Sequence, residues 1–173
     1  IYYRIKAKIP MIIKGETGCG KTFLIKKLYE LLNNGEPISE ENIFNINGGT
    51  TSEDIKKKII EINEKVIGQK EEKEYWVFLD ELNTCKALDL LTEIICNHSC
   101  EGEKLSEKIM FIGACNPYRE SKNKKESSGL IFEGQNNIEY LVNPLPKSLM
   151  NFIYYFDSLE EKDEMKYIDA IID

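Results

Sequence analysis

Three short groups of residues in this chain have the types and spacing for chemistry on a phosphate. The first is Gly15-Glu16-Thr17-Gly18-Cys19-Gly20-Lys21-Thr22, which satisfies G-x-x-x-x-G-K-[ST], the phosphate-binding P-loop. Glycines let the backbone curl so that successive N–H groups face one anion, and a helix that follows adds the partial positive charge of its N-terminus. Lys21 has the reach for β- and γ-phosphates, and Thr22 offers a hydroxyl to Mg²⁺. The second group is Asp80-Glu81. A carboxylate at Asp80 suits a Mg²⁺–water shell, and Glu81 beside it can take a proton from an attacking water. The third is Asn116, followed by Pro117, whose amide can hold that water or the γ-phosphate. Alone, an acidic pair and an Asn-Pro step also read as solvated turns. Their place downstream of a P-loop favours the chemical reading.

Buried strands and flanking helices must carry these groups. Met11-Ile12-Ile13 is an apolar run fit for a buried strand. Phe23 to Leu32 has helical spacing, with Leu24, Leu28, Leu31 and Leu32 on one face, and Asn33-Asn34-Gly35 stops it. Residues 42–47 alternate as a half-buried or edge strand does. Thr50 to Asp54 supplies hydroxyl caps with an acid three residues on, which predicts a helix with Ile55, Ile59, Ile60 and Ile62 inward. Tyr75 to Leu79 is apolar at consecutive positions. That implies burial on both faces, as in a parallel sheet, and presents Asp80 and Glu81 at the crevice where ligands bind. A helix is expected from Cys85 to Cys96, and a buried strand over 109–115 delivers Asn116. Residues 1–10 read as the tail of a preceding element, 119–128 as a polar loop and 138–142 as a last strand. Residues 148–156 and 160–172 read as helices. The alternation of strands and helices predicts an α/β fold with a mostly parallel sheet flanked by helices.

The chain has 173 residues, the size of one domain. It opens on Ile1 rather than Met and reads as a piece of a longer protein. Its net charge of −7 argues against a nucleic-acid partner. No apolar run reaches the ~18 residues of a membrane helix. Cys19, Cys85, Cys96, Cys100 and Cys115 are an odd number without small-scaffold spacing, which suits reduced thiols and a cytoplasmic setting.

Together these residues resemble the AAA+ ATPases. Gly15 to Thr22 looks like Walker A, Phe78-Leu79-Asp80-Glu81 like Walker B, and Asn116 like the sensor-1 polar residue. Within AAA+ proteins the chain resembles the mysterin family, giant ring-finger E3 ubiquitin ligases with a dynein-like core. The matching words are Gly15 to Thr22, Gly48-Gly49-Thr50-Thr51, Asp80-Glu81-Leu82-Asn83-Thr84, Ala114 to Arg119 and Pro144-Leu145-Pro146-Lys147-Ser148-Leu149. The resemblance implies one P-loop NTPase unit, an AAA+ large subdomain over residues 1–173 whose helical lid is missing or truncated. It implies ATP and Mg²⁺, with Thr22 and Asp80 on the metal, Gly15 to Thr22 on the nucleotide, and Glu81 and Asn116 in catalysis. It also implies neighbouring AAA+ units of the same chain or ring as partners, and ubiquitin-pathway partners through other domains. No ring-finger cysteine pattern stands in this segment. Arg4 and Arg119 are the only arginines, so an arginine finger is not assigned.

Several features carry a second reading. Cys96, His98 and Cys100 suggest zinc, but helical geometry puts His98 off the face the cysteines share, which favours a helix end with buried thiols. Asn97-His98-Ser99 is a glycosylation sequon, inert in a cytosolic protein. Cys19 sits at a helix N-terminus, which favours thiolate, so a redox switch and a simple loop filler are both open. For function, two alternatives stand beside an ATP-driven unit: a nucleotide-locked structural module with little turnover, and a stand-alone remodelling ATPase of the dynein-related or MoxR kind.

Overall fold

Strands whose apolar residues run without interruption must be covered on both faces. A computed structural model describes residues 1–69, 74–118 and 142–156 and shows how that is met. In chain order the elements are α1 (Tyr2–Lys6), β1 (Met11–Lys14), α2 (Lys21–Leu32), β2 (Ile43–Asn45), α3 (Ser52–Gly68) and β3 (Tyr75–Asp80). Then come α4 (Leu88–Asn97), the two-residue strands β4 (Ser99–Cys100) and β5 (Glu103–Lys104), β6 (Ile109–Cys115), and β7 (Ile153–Tyr155). Five strands form one sheet in the order β2-β3-β6-β1-β7, and every pairing in it is parallel. The C-terminal ends of β1, β3 and β6 therefore meet side by side at one edge. In a sheet of this kind that edge is where ligands bind.

Alternate residues of each strand feed two cores. Met11 and Ile13 of β1, Trp76 and Phe78 of β3, and Met110, Ile112 and Ala114 of β6 pack with Ile5 of α1 and with Ile25 and Tyr29 of α2. Ile12, Val77, Leu79, Ile109 and Phe111 face the other way. They pack on Ile55, Ile59, Ile62 and Val66 of α3 and on Leu88, Leu91, Ile94 and Ile95 of α4. The result is three layers, helix on sheet on helix. Each fully buried aliphatic side chain contributes about 1.5–3 kcal/mol, so the four inward residues of α3 suffice to fix that helix.

The α3 helix starts as expected. Thr51 Oγ1 accepts from the Asp54 N–H, and the Asp54 side chain accepts from the Thr51 N–H, a reciprocal capping box. The α2 helix buries a different stripe from the one its leucines suggest. Lys21, Ile25 and Tyr29 point inward at steps of four, while Leu31 is 80% exposed and Leu24, Leu28 and Leu32 pack only from the flank. Once Lys21 is turned into its loop, the residues one and two turns below it must face the sheet. Tyr29 meets Trp76 of β3 edge to face, with ring centroids 5.3 Å apart.

Residues 1–10, read as the tail of a preceding element, include a short helix, with Ile5 buried in the core. A further expectation is corrected. Residues 148–156 are not an α-helix: a 3₁₀ turn over Lys147–Phe152 leads straight into β7. The spacing of Leu149 and Ile153 fits a helix, but Ile153-Tyr154-Tyr155 is a β-branched and aromatic run. It pairs with Ile12, Ile13 and Lys14 and so satisfies the outer side of β1. The strand expected over 138–142 and the helix over 160–172 lie outside the described residues, Val142 apart, as do the loop over 119–128 and Arg119. No helix among the described residues is long and apolar enough to cross a membrane.

Candidate functional site

The loop after β1 is set by its glycines. Gly20 caps α2 with φ 90° and ψ 19°, and Gly18 has φ 81°. A Cβ at either would meet nothing within 4 Å, so backbone conformation, not space, requires glycine there. Gly15 is the opposite case. A Cβ there would lie 2.4 Å from the Phe156 carbonyl oxygen and 2.9 Å from Cys19 Sγ. The Phe156 N–H donates to the Lys14 carbonyl at 2.8 Å, so the end of β7 lies directly against the loop.

Inside this curl sits Lys21, 7% exposed. Its Nζ donates to the carbonyls of Gly15 at 2.8 Å and Glu16 at 2.7 Å, and to Asn116 Oδ1 at 3.1 Å. Cys19 Sγ, half-buried, is 3.9 Å from the same nitrogen. One residue on, Thr22 Oγ1 donates to Asp80 Oδ2 at 2.7 Å. The other Asp80 oxygen accepts from the Glu81 N–H at 3.0 Å. The structure therefore brings the loop, the acidic pair and Asn116 to one place, from the ends of three adjacent strands. They line a cleft of about 320 Å³, together with Thr17, Gly18, Gly20, Phe23 and Cys115.

Two details mark this cleft as built for a ligand. Asn116 is 6% exposed, and its Nδ2 is buried without a hydrogen-bond partner among the described residues. A buried amide donor left unpaired costs free energy and calls for an explanation. Glu81 stands at φ 54°, a left-handed conformation that side-chain-bearing residues adopt at a cost of about 1–2 kcal/mol. Its neighbours hold it there. The Thr84 hydroxyl and N–H both donate to the Glu81 carbonyl at 2.9 Å, and the Leu82 N–H donates to the Ala114 carbonyl. Backbone strain of this sort concentrates at functional sites. The donor set also fits a hard divalent cation: the Thr22 hydroxyl and the Asp80 carboxylate are oxygen ligands of the kind Mg²⁺ takes. Cys115 is a neutral thiol here, since burial pushes its pKa up to about 11.

The residues weighed for zinc do not converge. Cys96 Sγ reaches the Ser148 carbonyl, the His98 ring meets the Ser106 carbonyl and the edge of Phe111, and Cys100 is buried in the core. All five cysteines are free thiols.

Sequence reasoning missed a set of asparagines behind the site. Asn83, 1% exposed, accepts from the Asn116 N–H at 3.2 Å and donates to the Asn116 carbonyl at 2.9 Å. Asn143 donates from its N–H to the Asn83 carbonyl at 2.7 Å, and from its side chain to the Cys85 carbonyl at 2.9 Å. Asn83 stood in a matching word, but asparagine near a turn has many local uses, and nothing in its spacing pointed to a partner 33 residues on.

Comparison with known proteins gives the family. The family described as the RNF213 AAA domain matches residues 1–119. The E3 ubiquitin-protein ligase rnf213-beta of Danio rerio is 33% identical over 99% of the chain. The E3 ubiquitin-protein ligases RNF213 of Homo sapiens and Mus musculus are 32% and 33% identical over the same share. The chain spans 4% of the length of each of these relatives. On the extent of these matches, this chain belongs to the RNF213 AAA domain family.

Proposed function

We propose that this unit binds ATP with Mg²⁺ and hydrolyses it, driving conformational change in a larger mysterin-like E3 ubiquitin ligase. One observation carries the reading. Lys21 touches Asn116, and Thr22 touches Asp80, at the shared edge of three parallel strands. Each residue has a role its chemistry suits. The loop N–H groups and the α2 N-terminus hold phosphate oxygens. Lys21 exchanges the Gly15 and Glu16 carbonyls for the β- and γ-phosphates. A Mg²⁺ ion held by Thr22 and Asp80 would offset phosphate charge. Glu81 accepts a proton from the attacking water as that oxygen bonds to phosphorus and the bond to the bridging oxygen of ADP breaks. Asn116 aims its amide donor at the γ-phosphate or the water.

This reading makes neighbouring AAA+ units of the same chain or ring the mechanical partners, with ubiquitin-pathway partners engaged through other domains. A cytoplasmic setting suits the five free thiols.

Lys21→Ala tests the reading in the full-length protein by nucleotide titration. Tight ATP binding should be lost, because no second lysine lines the described cleft. Equal affinities for the two proteins would sink the assignment. Binding without turnover in the parent would reduce the unit to a nucleotide-locked structural module.

A further inference from the structure

The β3–β6 ladder stops short of the site. Its last pair is Leu79 with Gly113, and the chain then swings away through Glu81 at positive φ. Asn116 is three residues further along; β1 pairs with β6 only as far as Lys14 with Cys115, and on the other flank, where the Leu82 N–H still reaches the Ala114 carbonyl, β3 has ended. Asn83 takes the place of β3 there with its side chain. A primary amide carries one acceptor and donors in nearly the arrangement of a peptide group. Its Oδ1 takes the Asn116 N–H and its Nδ2 gives to the Asn116 carbonyl, as a neighbouring strand would. The same Nδ2 also reaches the Asn143 carbonyl at 3.3 Å. Leucine could make neither bond, aspartate lacks the donor, and glutamine is a methylene too long. We infer that Asn83 is a positioning residue for hydrolysis: it clamps the backbone of Asn116 and so fixes that residue's amide against Lys21 and the γ-phosphate. The inference rests on the nucleotide reading above, and Asn83 itself touches no reacting atom.

The test is a double-mutant cycle on the full-length protein, reading ATP affinity and single-turnover hydrolysis. Asn83→Ala should slow hydrolysis by about 10²-fold, the scale of a misplaced catalytic group. Affinity should stay within about threefold of the parent, since the loop N–H groups, Lys21 and the Thr22–Asp80 pair keep the phosphate contacts assigned to them above. The Asn83→Ala, Asn116→Ala double variant should be no slower than Asn116→Ala alone, because Asn83 acts only through Asn116. Hydrolysis at the parent rate in Asn83→Ala, losses that multiply in the double variant, or rate and affinity falling together would each overturn the inference. If Asn83→Ala does not fold, Asn83→Asp carries the same test: it keeps the volume and the acceptor and loses both donated bonds. Parent-like ATP affinity in Lys21→Ala would overturn the nucleotide reading itself, whatever Asn83 does.

Discussion

Glu81 and Asp80 are adjacent carboxylates in different settings. Asp80 spends one oxygen on the Thr22 hydroxyl and the other on the Glu81 N–H. Under the proposed function it would hold position and charge. Glu81 takes the left-handed backbone turn and lines the cleft, as a proton acceptor should. Glu81→Gln is therefore expected to keep ATP binding and lower hydrolysis by about 10²–10⁴-fold, the usual contribution of a general base. The amide preserves size but cannot take the proton. Turnover at the parent rate in single-turnover assays would remove Glu81 from that role. At this scale the sequence was most readable where chemistry dictates residue type. Lys21, Thr22, Asp80 and Asn116 could be named because phosphate and cation chemistry need an amine, a hydroxyl, a carboxylate and an amide. Asn83 could not, because its bonds go to backbone, and a backbone partner leaves no trace in residue types.

Elements were legible wherever burial alone decided them. The β3 and β6 strands are covered on both faces, and their uninterrupted apolar runs say so. The Lys147–Tyr155 stretch was not legible, because Leu149 and Ile153 fit helical spacing as well as they fit a 3₁₀ turn followed by a strand. The open side of β1 settled the matter, and that is a tertiary fact. The capping box of α3 was legible, being entirely local, and it supports a quantitative expectation. Thr51→Ala removes the acceptor for the Asp54 N–H and should cost about 1 kcal/mol. A lowered urea midpoint with an unchanged slope would show it. The loss should also depend on pH. Hydrogen bonds from Thr51 hold the Asp54 carboxyl below the usual aspartate range. Its contribution is present above the unfolded aspartate pKa and fades as pH falls through the folded one. The gap between parent and Thr51→Ala should therefore narrow in acid. A gap that stays constant down to strongly acidic pH would show that the Asp54 carboxylate takes no part in the cap.

On the scale of the whole molecule, charge is the decisive quantity. Under the proposed function the cleft would take a polyanion with Lys21 as the single cation among its described lining residues, against the carboxylates of Asp80 and Glu81. The chain around it carries a net −7. A divalent cation held by Thr22 and Asp80 would offset part of this in the ground state. It does less for the transition state, where negative charge spreads over the γ-phosphoryl oxygens. An arginine presented to those oxygens is worth about 10³–10⁵ in rate, and a lysine lacks the planar fork to replace it. Arg4 stands in α1, with one guanidinium nitrogen buried, and it does not line the cleft. Among the described residues no arginine lines the cleft, and Arg119 lies outside them; under the proposed function the charge is expected from a neighbouring unit. The purified 173-residue chain should bind Mg²⁺-ATP weakly and hydrolyse it barely above background, with activity rising only inside the larger assembly. Steady-state ATPase assays on the chain, with its mass in solution confirmed as monomeric, check this. A monomer turning over at about 10 s⁻¹, the middle of the enzyme range, would mean that the site holds all the positive charge it needs. The case for a donated arginine would then fail.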